Sequence, residues 1–293
     1  MAVCAKDWTS GSLLSCSRGG AVPRQTNMFA RRTALLFCVL PAVSVILSGC
    51  AQLSATGQGT PELRAPSSVT RAAVMATAIR YASHPWTGTP ANVKHGMDAA
   101  GIHVDTPDIS YQKSGAVPGY WVPGRVNYGI PYQWGGFSSP DEFDQGIAAG
   151  KAAGDVYTDT KRALLHDGVS AGAVGIDCSG FVSRCWNLPR AFSTRELAGL
   201  CDEMPSWDAL QSGDALNVYN AHVLLFSGWV GTDRKSLAAY ETGGPPDWKV
   251  IRHVIDVGFL KRKGYRPLRY RGSGTHESRE QTITLGSESL LSH

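Results

Sequence analysis

The chain of 293 residues lacks the short motifs that accompany several common kinds of chemistry. It has no Walker-type phosphate loop and no Gly-x-Gly-x-x-Gly fingerprint, so neither P-loop nucleotide hydrolysis nor dinucleotide binding is indicated. It has no Cys-x-x-Cys pair, which makes a zinc site from its cysteines and histidines a weak alternative. No internal repeat is present, which argues against a repeat architecture.

Neither sign of charge dominates the sequence. The formal net charge of +4 is spread along the chain, and lysine and arginine do not cluster among aromatic residues. Nucleic acid is therefore not an expected partner. The hydrophobic content of 43% indicates a globular chain, and the length suffices for one good-sized domain or two small ones.

The N-terminal part has the pattern of an export signal. Arg31 and Arg32 precede the apolar stretch Ala34–Leu47, which is too short and too abruptly ended for a spanning helix. The ending Leu47–Cys50 (LSGC) resembles a bacterial lipobox, which implies cleavage before Cys50 and a diacylglycerol on its thiol. That resemblance implies an exported lipoprotein, anchored to a membrane of the bacterial cell envelope. An ordinary secretory signal or an uncleaved anchor is the alternative.

Composition divides the chain into four parts. We expect Met28 to be the true start, because most of the residues before it do not resemble the basic region of a signal. The predicted parts are an extension with signal peptide (1–49), a lipidated cysteine with a flexible tether (50–68), one folded domain (69–270) and a polar, disordered tail (271–293).

Within the domain, helical patterns come first and strand patterns follow. The turn-rich stretch 84–129 is expected to be irregular structure packed on the domain. Helices are predicted from Ser68, over Asp141–Lys151, over Asp159–His166, after Asp177 and over Ser193–Cys201. Strands are predicted over Asp214–Val218, His222–Trp229, Leu237–Thr242, Val250–Val257 and Pro267–Tyr270. This order favours an α+β fold with helices packed on an antiparallel sheet.

The helix after Asp177 carries the first candidate for chemistry. Asp177 is a natural N-cap, which puts Cys178 in the first turn, where the helix dipole favours a reactive thiolate. A backbone N–H of that turn can serve as an oxyanion donor. Gly180 is expected to leave room for a substrate backbone. The alternative is a buried helix cysteine that packs like a small hydrophobic residue.

A nucleophilic cysteine needs a histidine on another element and a polar group that orients it. His222 opens an apolar strand, and Glu241 ends the next strand on the same face as Leu237 and Ala239. The alternatives are a satisfied strand histidine and a glutamate that points into solvent. His253, between Arg252 and Val254, is expected to lie at the surface.

Several blocks together resemble the NlpC-type family of cell-wall cysteine peptidases. The blocks are Tyr132–Gly136 (YQWGG), Asp177–Val182 (DCSGFV), Gly213-Asp214 and Ala221–Val223 (AHV). Their order agrees with that family, as does the separation of 44 residues between cysteine and histidine (222 − 178). The resemblance covers roughly 69–270.

The resemblance implies a papain-like fold, with the nucleophile at a helix N-terminus, and a Cys–His–polar triad without metal or cofactor. Cys178 matches the nucleophile, and His222 matches the general base that then protonates the leaving amine. Tyr132 matches a tyrosine that lines the site and helps with the oxyanion, and Asp177 an aspartate that binds a substrate amine. Ser179 and Trp134 are placed with this substrate-binding group. The implied substrate is a peptidoglycan stem peptide, cut between the side-chain carboxyl of D-glutamate and a diamino acid.

The chain departs from that family in three places. Ala221 stands where many members have serine before the histidine. Glu241, the candidate third residue, lies 19 positions after His222 (241 − 222), whereas His, Asn or Gln is common about a dozen positions on. The segment Phe137–Gly175 is longer than the minimal spacing, so the substrate groove and specificity can differ.

Two other functions and one structural question stay open. The same scaffold can serve an acyltransferase or an amidase that acts on another acyl substrate, and a non-catalytic lipoprotein that binds the wall is a further alternative. Cys185 and Cys201 can form a disulfide or remain two buried thiols. The sequence does not define the oligomeric state.

Overall fold

The computed structural model describes residues 65–111, 118–244 and 247–274, all within one compact unit. The predicted signal, Cys50 and most of the predicted tether and tail lie outside the described residues. Within the described ranges, no helix combines the length and the apolar character that crossing a bilayer needs.

Six α-helices lie in the described ranges. They are α1 (Arg71–Ser83), α2 (Pro140–Ala148), α3 (Asp159–Leu164), α4 (Cys178–Cys185), α5 (Thr194–Gly199) and α6 (Val257–Arg262), and short 3-10 helices cover Pro90–Asn92, Leu165–Gly168 and Trp207–Ala209. Each α-helix follows a Ser, Thr or Asp whose side chain accepts a hydrogen bond from a backbone N–H of the first turn. These caps satisfy donors that would otherwise lack partners, which explains where the helices begin.

The strands are mostly short. They are β1 (Val69–Thr70), β2 (Pro85–Thr87), β3 (His95–Met97), β4 (His103–Asp105), β5 (Val126–Tyr128), β6 (Ala152–Ala153), β7 (Ala173–Val174), β8 (Cys201–Glu203), β9 (Ala215–Val218), β10 (His222–Val230), β11 (Ser236–Glu241), β12 (Ile251–Asp256), β13 (Arg266–Tyr270) and β14 (Ser273–Gly274). The region 84–129, expected to be irregular, contains two small sheets, β2–β5 and β3–β4.

One antiparallel sheet organises the fold, in the strand order β12-β11-β10-β9-β13-β8. On one face, Phe181 and Val182 of α4 are buried in a single core with Val223 and Leu225 of β10. On the other face, α6 covers a second core that includes Leu224 and other apolar residues of β9 to β11. Because β10 alternates its side chains between the two cores, its position and direction are tightly fixed.

Three elements differ from the sequence prediction. The helix predicted over Ser193–Cys201 ends at Gly199, and Cys201 begins β8, which pairs with β13. Strand β13, predicted without its neighbours, lies between β9 and β8 inside the sheet. Helix α6, which follows β12 after the cap Asp256, was not predicted. The positions of β8 and β13 depend on strand partners that are far away in the sequence, which local patterns do not show. Helix α6 depends on a cap that lies inside an apolar run.

The folded part extends slightly past 69–270 at both ends. The hydroxyl of Tyr270 donates to the carbonyl of Ser67 at 2.7 Å and accepts from its N–H at 3.2 Å. Strand β1 pairs in parallel with β14, with Val69 opposite Ser273. The first and last described segments are therefore held together.

The Gly-Asp pair before β9 connects three elements. Asp214, only 1% exposed, accepts from Arg71 of α1 at 2.9 Å and from Arg269 of β13 at 2.7 Å. Gly213 adopts φ of +88°, a conformation that favours glycine, and its carbonyl accepts from the indole of Trp186 at 3.0 Å. The pair thus fixes the start of the hairpin that leads to His222.

Removing this buried carboxylate should unfold the domain more easily. We expect Asp214→Ala to lower the free energy of unfolding by about 3 kcal/mol, because two arginines lose their shared partner. Urea unfolding followed by tryptophan fluorescence measures the change. Asp208→Ala removes an exposed partner of Arg234 and should cost less than about 0.5 kcal/mol. Equal losses for the two variants would contradict the assignment.

Candidate active site

Helix α4 begins at Cys178. The carboxylate of Asp177 caps it by accepting the N–H of Gly180 at 2.5 Å. The partial positive charge of this helix end favours an anion on the first residue. Cys178 is half-buried and packs against the core that lies under α4.

Two sequence blocks meet at this helix start. Ile176, just before the cap, pairs with Tyr132 as an isolated bridge, and the N–H of Asp177 donates to the carbonyl of Gly136 at 3.0 Å. A Cβ on Gly180 would overlap that same carbonyl oxygen. Gly180 therefore allows α4 to approach Gly136. Room for a substrate backbone beside Gly180 stays a prediction.

His222, the first residue of β10, makes a hydrogen bond with Cys178. Burial lowers the pKa of His222, but the charge and hydrogen bond of Cys178, followed by those of Glu241, outweigh it and raise the pKa to about 10. The imidazole therefore stays protonated at neutral pH. A protonated imidazole beside a thiol at a helix N-terminus is the arrangement that favours a thiolate–imidazolium pair.

Glu241, the last residue of β11, contacts the other side of the imidazole. Its Oε2 lies 2.5 Å from Nε2 of His222, which leaves Nδ1 as the nitrogen for the thiol. Burial raises the pKa of Glu241, but contacts with His222 and His253 and their charges lower it to about 2. Glu241 is thus an ionised carboxylate that orients the ring and stabilises its positive charge.

The strand register also places a glycine against the imidazole. Leu225 pairs with Tyr240, and continuing this register puts Gly243 opposite His222. A Cβ on Gly243 would lie only 3.0 Å from Cε1 of the ring. Two residues at the end of β11 and just after it therefore fit the imidazole. Glu241 binds one edge of the ring, and Gly243 leaves room for another edge because it has no side chain.

His253 is the residue that sequence reasoning missed. It was expected at the surface, yet on β12 it shares the inner face with Ile251 and Ile255. Its Nε2 is 2.5 Å from Oε1 of Glu241. Nε2 is buried, and its approach to the carboxylate lowers the pKa of Glu241. Strand alternation combined with the β11–β12 register was the signal that could have found it.

Tyr132 lies beside the thiol and is only 4% exposed. Its ring packs on Trp248 with the centroids 5.8 Å apart, and its N–H donates to the carbonyl of Trp248 at 2.8 Å. Burial, followed by the negative charge of Cys178, raises the pKa of Tyr132 well above its usual value. The hydroxyl therefore remains a hydrogen-bond donor near the nucleophile.

The side chains of Asp177 and Ser179 form hydrogen bonds at the start of α4. Ser179 is 8% exposed, and its hydroxyl donates to Oδ1 of Asp177 at 3.0 Å, the oxygen that also caps α4. The hydroxyl of Ser179 therefore helps to hold the helix start, and its contact with a substrate stays a prediction. Burial raises the pKa of Asp177, although these hydrogen bonds oppose the rise. Asp177 is half-buried and next to Cys178, so the structure leaves its substrate role as a prediction.

Trp134 connects the site to the long segment 137–175. Its indole N–H donates to the carbonyl of Leu165 at 3.1 Å, and its ring packs edge-on against Tyr157 at 5.5 Å. From the same segment, Arg162 donates to the carbonyl of Asn220, two residues before His222. The segment thus borders the site at two places, while the partly exposed ring of Trp134 remains open to a substrate.

The other described cysteines do not join the site. Cys185 and Cys201 are buried free thiols, and burial raises the pKa of each. Across the described ranges, no group of three or more His, Cys, Asp or Glu side chains is arranged to hold a metal ion. The site brings together the thiol of Cys178, the imidazole of His222 and the carboxylate of Glu241.

Comparisons of the chain with protein-family models, curated proteins and solved structures found no match.

The charge of Glu241 should be measurable at His222. Glu241→Gln keeps the shape but removes the charge, so we expect the pKa of His222 to fall by about 1 pH unit or more. NMR titration of the imidazole measures this pKa. Glu203→Gln, on an exposed glutamate paired with Arg266, should leave it unchanged. An unaltered titration in Glu241→Gln would show that the carboxylate does not stabilise the imidazolium.

The two roles of Asp177 can be separated by two substitutions. Asp177→Ala should lower the free energy of unfolding by about 1 kcal/mol, because α4 loses its cap. Asp177→Ser retains a good cap and should stay within about 0.5 kcal/mol of the wild type. If Asp177 also binds a substrate amine, Asp177→Ser should raise KM although the fold is intact. An unchanged KM would restrict Asp177 to its structural role.

Proposed function

We propose that this protein is a cysteine endopeptidase of papain-like, NlpC-type architecture that hydrolyses peptidoglycan stem peptides. One observation carries the proposal: Cys178 at the start of α4 is hydrogen-bonded to His222, whose far nitrogen binds the ionised Glu241. The resemblance of the blocks around Tyr132, Cys178 and His222 to cell-wall peptidases supports the same class.

The proposed reaction proceeds through a thioester. The thiolate of Cys178 attacks the carbonyl carbon, and the tetrahedral intermediate collapses as His222 protonates the leaving amine, which breaks the C–N bond. His222, now neutral, takes a proton from water, and the hydroxide attacks the thioester. The carboxylic acid product leaves, and the thiolate–imidazolium pair returns. Glu241 holds the ring in one orientation through both halves.

Two groups are the proposed donors for the oxyanion. One is the backbone N–H at the start of α4, where the helix dipole favours negative charge. The other is the hydroxyl of Tyr132, which the raised pKa keeps protonated. Stabilising the developing negative charge by such fixed donors is usually the largest single contribution to this kind of catalysis.

Two features support a cell-wall peptide as the substrate. One is the set of aromatic residues around the site, and the other is the N-terminal sequence. Aromatic side chains cluster around Tyr132, which lies near Cys178; they are Tyr111, Tyr120, Trp134, Tyr157 and Trp248. Such a wall suits a peptide laid across the site. The lipobox-like ending at Cys50 supports an exported, lipid-anchored protein in the bacterial envelope, next to this substrate. The bond proposed is the one from the side-chain carboxyl of D-glutamate to the diamino acid.

Loss of either reactive group should abolish cleavage. We expect Cys178→Ala and His222→Ala each to reduce turnover of purified muropeptides by about 10³-fold or more, because the two groups act as a unit. Mass spectrometry of the digests identifies the bond and the substrate. Cys201→Ala, which removes a buried thiol outside the site, should retain turnover.

Undiminished muropeptide cleavage by Cys178→Ala would exclude the proposed mechanism. Turnover of thioester or lipid acyl donors, without release of muropeptide fragments, would favour the acyltransferase alternative on the same site. A wild-type Cys178 that reacts with iodoacetamide no faster than a free cysteine at neutral pH would favour a non-catalytic wall-binding protein.

A further inference from the structure

The carboxylate of Glu241 lies between two histidines. Oε2 is 2.5 Å from Nε2 of His222, and Oε1 is 2.5 Å from Nε2 of His253. The proposed mechanism uses only the first contact. His253 is nevertheless half-buried, whereas its outward neighbour Val254 is exposed.

Strand pairing explains how His253 reaches the carboxylate. His253 lies opposite Ala239, and Ile251 lies opposite Glu241, so His253 and Glu241 are diagonal neighbours on one face of the β11–β12 pair. Diagonal neighbours in antiparallel sheets are within reach of long side chains. The contact is therefore built into the sheet and does not depend on a loop.

A carboxylate with only one partner can rotate about its last side-chain bonds. If Oε1 were unbound, Glu241 would exchange between orientations, and only some of them bring Oε2 to His222. A partner on Oε1 removes that freedom. The same carboxylate is then presented to His222 in one orientation, which in turn holds Nδ1 toward Cys178.

We propose that His253 is a positioning residue of this site, which acts through Glu241 to hold His222 against Cys178. It touches neither the thiol nor the substrate of the proposed reaction. The proposed site thus consists of four residues in contact, Cys178, His222, Glu241 and His253. They lie on α4 and on the adjacent strands β10, β11 and β12. This inference rests on the proposed function for its effect on turnover, but its effect on the thiol can be measured without any substrate.

The neighbouring charged groups lie apart from this contact. On β12, Arg252 and Asp256 are exposed on the outer face, and Arg252 approaches Ser227 of β10 at 3.4 Å. From the segment after α6, Tyr265 is buried near Glu241, and burial, followed by the charge of Glu241, raises its pKa far above the usual value. Tyr265 therefore stays neutral and adds no charge beside the contact between Glu241 and His253.

The test compares the rate at which iodoacetamide alkylates Cys178 in the full chain at pH 6.5. We expect His253→Ala to slow alkylation by about tenfold, because a loosely held Glu241 stabilises less of the thiolate–imidazolium pair. His253→Gln, which can present an N–H to Oε1, should recover most of the rate. Val254→Ala, on the outer face of the same strand, should react like the wild type.

A double-mutant cycle decides whether His253 acts through Glu241. In a Glu241→Gln background, His253→Ala should cause little further loss, because the residue through which it acts is already impaired. Additive losses would overturn the proposal, and so would an alkylation rate in His253→Ala equal to that of the wild type. Equal damage in His253→Ala and His253→Gln would assign the effect to packing and also overturn it.

Turnover separates this inference from the proposed function. If muropeptides are cleaved, His253→Ala should lower kcat by about tenfold and leave KM nearly unchanged, since His253 contacts no substrate. If the wild type cleaves no muropeptide while the alkylation results hold, the proposed function fails and the positioning role stands.

Discussion

The arrangement of the site depends on the close approach of two backbone segments at the start of α4. The carbonyl of Gly136 accepts the N–H of Asp177 and lies where a side chain on Gly180 would otherwise be. This contact fixes the residue at which the helix begins, and thereby the direction of the Cys178 side chain. It also brings the segment of Tyr132 alongside, through the bridge to Ile176. The segment of Tyr132 and Gly136 and the start of α4, although far apart in sequence, therefore pack together as one unit.

Around this unit, four side chains follow one another. The thiol of Cys178 at the positive helix end contacts the imidazole of His222, this imidazole contacts the carboxylate of Glu241, and the carboxylate contacts a second histidine, His253. The imidazolium of His222 and the carboxylate of Glu241 each lower the cost of keeping the other ionised in a partly buried site. Removing one member therefore changes the others, which is why single substitutions here are not expected to act independently.

The sequence alone predicted those parts of the site that depend on local patterns. The cap at Asp177 and the apolar spacing after it place Cys178 correctly at a helix start, and strand alternation places Glu241 on the face that meets His222. His253 was misplaced, because its contact with Glu241 requires the register between two strands that are joined by an irregular stretch. Likewise, β13 enters the middle of the sheet for reasons that only the tertiary packing contains. Patterns of period 2 or 3.6 give the face of an element, but not its neighbours.

The irregular pairing in β10 has a consequence for how such chains are compared. Phe226 pairs with Ala239 and Gly228 with Ala238, so Ser227 is an extra residue, held where Ser212 donates to its carbonyl at 2.9 Å. A bulge of this kind separates the half of the hairpin that carries His222 and Glu241 from the half that ends in the turn at 231–235. The distal half can lengthen or shorten without reversing the faces of the proximal half. The number of residues between His222 and Glu241 therefore changes with the length of the distal half. The strand partner of the histidine is better found by counting from the bulge than from the histidine itself.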